Sequence, residues 1–260
     1  MVPPELVEVA LALADAAGAA IRPHFRSGLL ADDKSDDSPV TVADRAAEQA
    51  MRVILAERCP DHGVIGEEFG TADRGASRYR WVLDPIDGTR AFITGRTTFG
   101  VLVALTENGV PVIGIIDQPI TGERWIGVAG EPTRFTGPLG GSAGCRACPS
   151  LGQAELSATA PDFQPRYRQA GFDRIRAAVR RVTWGGDCYA YGLLALGQID
   201  VIAESDLKPW DWSALVPIIQ GAGGSVTDWA GAPLHLDTSR GDVLALGDPG
   251  LLRAALGELG

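Results

Sequence analysis

One nine-residue run constrains this chain more than any other: Trp81-Val82-Leu83-Asp84-Pro85-Ile86-Asp87-Gly88-Thr89. Its apolar opening reads as a strand that delivers Asp84 at its end, where the sites of α/β folds gather. Pro85 has no N–H and keeps Asp84 extended, and Gly88 permits a tight turn through a left-handed residue. Thr89 is placed to cap a short helix whose free N–H groups would face an anion. Two aspartates three residues apart on a sharp turn, with the Ile86 carbonyl between them, offer hard oxygen ligands of the kind that suit Mg²⁺. The same residue types also build an ordinary turn. By itself the run supports either.

The flanking pattern says what surrounds it. Residues 5–26 read as an amphipathic helix, with Leu6, Val9, Ala10, Leu13, Ala17 and Ile21 at helical spacing. The polar stretch Ser27–Pro39 reads as a mobile loop. Thr41 is a good N-cap for a helix from Val42 to about Arg58, stopped by Pro60, with Asp44 in its first turn. Strands are expected at Val64–Gly66, Tyr79–Leu83, Phe99–Leu105, Val110–Ile116 and Glu123–Val128, with Asn108-Gly109 as a hairpin turn.

Gly137–Ser150 is the most linker-like segment. It divides an expected α+β half at residues 1–140 from an α/β half at 141–260. Beyond it come a strand at 155–159, a helix at 165–177, a strand at 178–183 and a helix at 187–197. They are followed by a strand at 199–203, a helix at 211–221, strands at 225–228 and 242–246, and a helix at 248–258.

At 260 residues and a formal charge of −10, the chain is long enough for a large core and has no basic excess. Partnership with nucleic acid or an anionic membrane is therefore not expected. No apolar run reaches a membrane span, and Glu5, Glu8 and Asp15 stand where a signal peptide would be basic and then apolar. A soluble cytoplasmic chain is expected. Cys145-Arg-Ala-Cys148 is a lone CxxC without the further ligands of a zinc site, so the four cysteines read as reduced thiols. A negative protein acting on a negative ester would need divalent cations to invert the local field.

Three further acidic features change the balance at Asp84–Thr89. These are Gly66-Glu67-Glu68 after a strand, Asp44 at a helix start, and Trp210-Asp211-Trp212 after Lys208-Pro209. Each alone reads as exposed acids or as acids at a helix N-terminus. Together, GEE at 66–68, DPIDGT at 84–89, and WD at 210–211 before the helix ending GAGG resemble the inositol monophosphatase superfamily of metal-dependent phosphatases. The resemblance runs from Lys34 to about Gly224. Lys34 itself is spaced too loosely from Asp44 to enter the expected site.

The resemblance implies a layered αβαβα sandwich, commonly dimeric, with two or three Mg²⁺ ions per site. Glu67 would bind the first metal and a third, Asp84 would bridge two metals, and the Ile86 carbonyl would complete the first. Asp87 and Asp211 would hold the second. Thr89 and Asp44 would orient and deprotonate the attacking water, while the N–H groups of Gly88 and Thr89 would hold the phosphate. Two cations then clamp an in-line phosphoryl transfer, and His24, His62 and His235 are bystanders.

Gly185-Gly186-Asp187 and Glu204 stand where the family contacts the leaving group. Inositol-specific members usually carry a small or hydroxyl residue in place of Asp187. Residues 186–192 together with Asp87–Phe92 resemble the histidinol-phosphatase branch, for which a carboxylate facing an ammonium or imidazole makes sense. Asp187 also reads simply as the N-cap of its helix. The implied reaction is hydrolysis of L-histidinol phosphate, a small cationic phosphorylated metabolite. The alternatives are an inositol-1-monophosphatase or another small-molecule phosphatase of the superfamily, and a metal- or phosphate-binding sensor without turnover.

Overall fold

The computed structural model describes residues 2–28, 32–33, 39–72, 77–162 and 164–260; Lys34 and most of the 29–38 stretch lie outside them. The first half runs α1 (Pro4–Ile21), β1 (Asp32–Asp33), β2 (Pro39–Val40), α2 (Val42–Arg58), β3 (Gly63–Gly66), β4 (Gly70–Ala72), β5 (Tyr79–Asp87) and α3 (Thr89–Ile93). Then come β6 (Gly100–Glu107), β7 (Val110–Gln118), β8 (Glu123–Val128) and β9 (Arg134–Thr136). The second half runs β10 (Glu155–Ala158), α4 (Arg166–Ala178), β11 (Arg181–Trp184), α5 (Asp187–Ala195) and β12 (Val201–Glu204). It closes with α6 (Pro209–Trp212), α7 (Leu215–Gly221), β13 (Ser225–Thr227), β14 (Val243–Leu246) and α8 (Leu252–Leu259).

Beside the small β1–β2 pair, the strands form two sheets. Seven strands take the order β4-β3-β5-β6-β7-β8-β9 and five take β11-β10-β12-β14-β13. In the larger sheet only β3 and β5 run parallel; in the smaller, β10 is parallel to both neighbours.

Successive strand residues face opposite sides, and here both sides are apolar. Val101, Val103 and Leu105 of β6 join the core under α1 and α2, while Leu102 and Ala104 join the core under α5, α6 and α7. Ile202, Val243 and Ala245 of the smaller sheet enter that same middle core, and Val201, Leu244 and Leu246 face α4 and α8. The layers are thus α1–α2, large sheet, α5–α7, small sheet, α4–α8. This is the expected αβαβα sandwich. Each fully buried Leu, Ile or Phe contributes about 1.5–3 kcal/mol.

Two glycines let the middle layer close. Gly114 of β7 and Gly127 of β8 are register partners. A Cβ on Gly114 would lie 1.9 Å from the Ala214 carbonyl oxygen, and one on Gly127 would lie 2.4 Å from the Ile218 nitrogen. α7 therefore seats directly on sheet backbone.

Several expected boundaries move, each for a local reason. The first helix ends at Ile21, not Arg26, because Pro23 lacks an N–H and crowds the preceding turn; Arg22–His24 is a 3₁₀ turn. The single helix expected at 211–221 is two, α6 and α7, since Pro217 cannot donate to Ser213. β11 starts at Arg181 because α4 runs on to Ala178. No helix among the described residues is long and apolar enough to cross a membrane.

Candidate active site

β5 does not stop at Leu83 but continues to Asp87, and its pairing with β6 is irregular where the motif begins. Asp84 lies opposite Leu102 and Asp87 opposite Gly100, so three steps on β5 span two on β6. Pro85, unable to donate, sits in this bulge, which re-aims the strand end. The Ile86 N–H folds back to Asp84 Oδ1 at 3.0 Å.

Gly88 then adopts φ +88°, and it, not Thr89, is the N-cap of α3. The correction has a simple cause: the left-handed turn falls at the glycine, so Thr89 is already helical. Its hydroxyl donates to the Ile86 carbonyl at 3.1 Å.

The structure brings three of the expected ligands together. Oxygens of Asp84, Asp87 and Asp211 all lie within 4.8 Å of one another. Asp211, at the third position of α6, accepts the Lys208 N–H at 2.7 Å. Asp87 accepts the Cys188 N–H from the first turn of α5.

Burial first, and then the charges of Glu67, Asp87 and Asp211, push the Asp84 carboxyl well above its usual range. Asp87 is raised the same way, by burial and by Asp187 and Asp211. Asp211 is pushed up to about 7 by burial, against the Lys208 N–H and with Glu67 adding to the rise. Carboxylates crowded like this stabilise a bound cation and each other's protons, and little else.

Asp44 is buried at the start of α2. Its Oδ2 accepts the Thr41 N–H at 2.8 Å and the Thr41 hydroxyl at 2.5 Å, while Oδ1 has no hydrogen-bond partner. Burial is the largest influence on its carboxyl and raises it, with the charge of Glu67 adding to the rise. Thr89 donates its proton to Ile86 and Thr41 holds Asp44 Oδ2, which leaves Asp44 Oδ1 open.

Asp87 and Asp211 open into a cleft of about 210 Å³, lined by Glu67, Asp87, Gly88, Thr89 and Arg90 on one side. Thr159, Asp187, Cys188, Tyr191, Glu204, Leu207 and Asp211 complete it. Five carboxylates and a single arginine cannot hold a phosphate unaided. The unpartnered Asp44 oxygen and the acid triad fit divalent cations held by oxygen ligands.

Gly186, at φ +117°, is the N-cap of α5, so Asp187 is not the cap but the first helical residue, itself at φ +43°. Asp187 is raised to about 6 by burial and then by Glu204, with Arg90 and Arg96 opposing. Glu204 is held by three donors. One oxygen accepts the Thr159 N–H and hydroxyl at 2.7 and 2.6 Å, and the other accepts the Tyr191 hydroxyl at 2.8 Å.

Some participants were not expected from the sequence. Glu48, wholly buried, accepts the Glu68 N–H at 2.7 Å and the Phe69 N–H at 3.2 Å, beneath the turn that carries Glu67. The available signal was an acid within the apolar stripe Ala43, Ala47, Met51, Leu55, with Arg52 one turn later. Tyr191 and Thr159 carried no comparable signal.

The sequence pattern of the inositol monophosphatase family matches residues 3–256. The chain belongs to the inositol monophosphatase family. It is 46% identical over 255 residues to the bifunctional phosphatase IMPL2, chloroplastic, of Arabidopsis thaliana, covering 95% of this chain and 73% of that one. A histidinol-phosphatase of Chlorobaculum parvum is 36% identical, with 89% and 88% covered. An inositol monophosphatase structure from Zymomonas mobilis superposes with a TM-score of 0.89 at 49% identity, covering 98% of both chains. As a member of this family the chain is a phosphatase, a metal-dependent hydrolase of small phosphorylated molecules.

Proposed function

We propose that this phosphatase is Mg²⁺-dependent and that its preferred substrate is L-histidinol phosphate. The observation that carries the substrate is the pair Asp187 and Glu204 lining the same cleft as Asp87 and Asp211. Glu204 is held by three donors, so it stands fixed behind Asp187. Asp187, raised by burial and then by the charge of Glu204, gains most from a cation placed against it. The ammonium or imidazolium of histidinol is such a cation.

The roles follow from the positions. Glu67, Asp84, the Ile86 carbonyl, Asp87 and Asp211 would hold two or three Mg²⁺ ions. Bound there, the ions supply charge neutralisation for the phosphoryl oxygens and acidify a water. Asp44 Oδ1 accepts a proton from the attacking water, and Thr89, its own proton committed to Ile86, accepts a second hydrogen bond from that water. Gly88 and Thr89 present their N–H groups to the phosphate, with Arg90 as the one basic side chain in the cleft lining. Asp187, beside Gly185 and Gly186, orients the leaving alcohol. The products are the alcohol and inorganic phosphate, with no covalent intermediate required. The free cysteines fit a reducing, cytoplasmic setting.

The name of one neighbour, an inositol monophosphatase, favours a second reading, a polyol phosphate such as inositol 1-phosphate. Ranking kcat/KM for L-histidinol phosphate, inositol 1-phosphate, fructose 1,6-bisphosphate and adenosine 3′,5′-bisphosphate with Mg²⁺ decides between them. Histidinol phosphate is expected first by at least tenfold; inositol 1-phosphate in first place would overturn the reading.

A further inference from the structure

Beneath the site, α2 carries two buried carboxylates one helical turn apart. Asp44 sits with the acid cluster. Glu48, four residues on, is fully buried and faces the β3–β4 turn. Its Oε2 accepts the Glu68 N–H at 2.7 Å, and its Oε1 accepts the Phe69 N–H at 3.2 Å and Arg52 Nε at 2.7 Å.

Arg52 continues the contact. Its second nitrogen donates to the Gly70 carbonyl at 2.5 Å, and its guanidinium lies 5.9 Å from the Phe69 ring centre. On the other side, the Glu67 N–H donates to the carbonyl of Leu83, the residue before Asp84. The turn that carries Glu67 is therefore held from both sides, by β5 at Glu67 and by α2 at Glu68 and Phe69.

Gly66 completes the fit. A Cβ there would lie 2.0 Å from Glu48 Oε1, so only glycine lets the carboxylate reach the turn. A buried charge costs several kcal/mol unless paired. A chain needing only a hairpin turn at 66–70 has no use for one.

We propose that Glu48, held by Arg52, is a positioning residue for Glu67: it fixes the turn so that the Glu67 carboxylate meets the cation shared with Asp84. The assignment rests on the reading of Glu67 as a metal ligand. Because α2 carries both Asp44 and Glu48, one rigid helix sets the water-orienting acid and the metal-binding acid at a fixed separation. Outer groups that orient a metal's ligands commonly change affinity 10–100-fold when removed.

The test is Mg²⁺ binding itself, read by calorimetry and by the Mg²⁺-dependent rise in Tm, with no substrate present. Glu48→Gln keeps the volume but offers one acceptor oxygen to two N–H groups and Arg52, so the turn loosens. Mg²⁺ affinity is expected to fall about tenfold, and Arg52→Gln to shift it the same way by less. Should Glu48→Gln not fold, Arg52→Gln carries the test. Ile175→Val, in the core between α4 and the small sheet, lowers Tm without touching the turn and should bind Mg²⁺ as the parent does. Glu67→Gln with weakened binding alongside normal affinity in Glu48→Gln and Arg52→Gln overturns the positioning role alone. Glu67→Gln with unchanged Mg²⁺ affinity overturns the metal reading and the positioning role with it.

Discussion

The two walls of the cleft are both acidic and are built in opposite ways. On one wall, Asp84 and Asp87 of β5 and Asp211 of α6 crowd within 4.8 Å, with burial and neighbouring carboxylates raising all three. On the other, Glu204 at the end of β12 is buried yet satisfied by three donors from Thr159 and Tyr191. A satisfied carboxylate is architecture that the fold maintains by itself. A cluster of crowded carboxylates is a demand for a cation from solution. Only Asp187, raised to about 6, stands between the two conditions, on the architectural wall but open to a ligand.

The sharpest way to break the contrast is Asp84→Asn. Phosphate release should fall by roughly 10³-fold or more, as expected when charge stabilisation at a metal centre is lost. In chelated protein the same change should raise Tm, because it removes a buried, repelled charge. A variant that loses activity and stability together would mean that Asp84 is structural. Next in size, Asp187→Ala should cost about 10–100-fold in kcat/KM for histidinol phosphate, the scale of one lost charge-assisted contact. Turnover of p-nitrophenyl phosphate should stay within about twofold. Parallel losses on both esters would remove Asp187 from leaving-group recognition.

Tyr191→Phe tests the satisfied wall. It strips one donor from a buried carboxylate and should cost about 1–3 kcal/mol in denaturant unfolding, with a smaller effect on rate. No change in stability would show that Glu204 does not depend on that bond.

The smallest effect is a pH slope. The folded carboxyl of Asp211 titrates near 7, against an ordinary 3.8. Between these values the folded state holds a proton that the unfolded chain has released. Stability of the chelated protein should therefore decline as pH rises from about 4 to 7. Saturating Mg²⁺ should flatten that slope by taking the proton's place. A Tm of chelated protein that climbs across the same range would contradict the crowding.

The sequence carried a large share of this, unevenly. The β6–β7 hairpin is legible because Asn108 and Gly109 accept positive φ, and the structure gives them 49° and 80°. Thr41 is legible as a cap because side chain and helix start are adjacent. Layer order was carried by the motif resemblance more than by periodicity, since the strands are apolar on both faces. Local signals missed what depends on distant partners. Nothing near Tyr191 announces Glu204 as its acceptor, and nothing near Gly66 announces Glu48. The cap at Gly88 was misplaced by one residue, because a glycine's sign of φ is set by what its turn must reach.

The facing glycines Gly114 and Gly127 have one more consequence. By admitting α7 onto bare backbone, they make the middle helical layer common property of both sheets, whose apolar faces meet in one core. Neither sheet can melt without wetting the other's inner face. Unfolding should therefore be a single cooperative event, and a chain cut near Gly137–Ser150 should yield two fragments that remain soluble only while they hold each other.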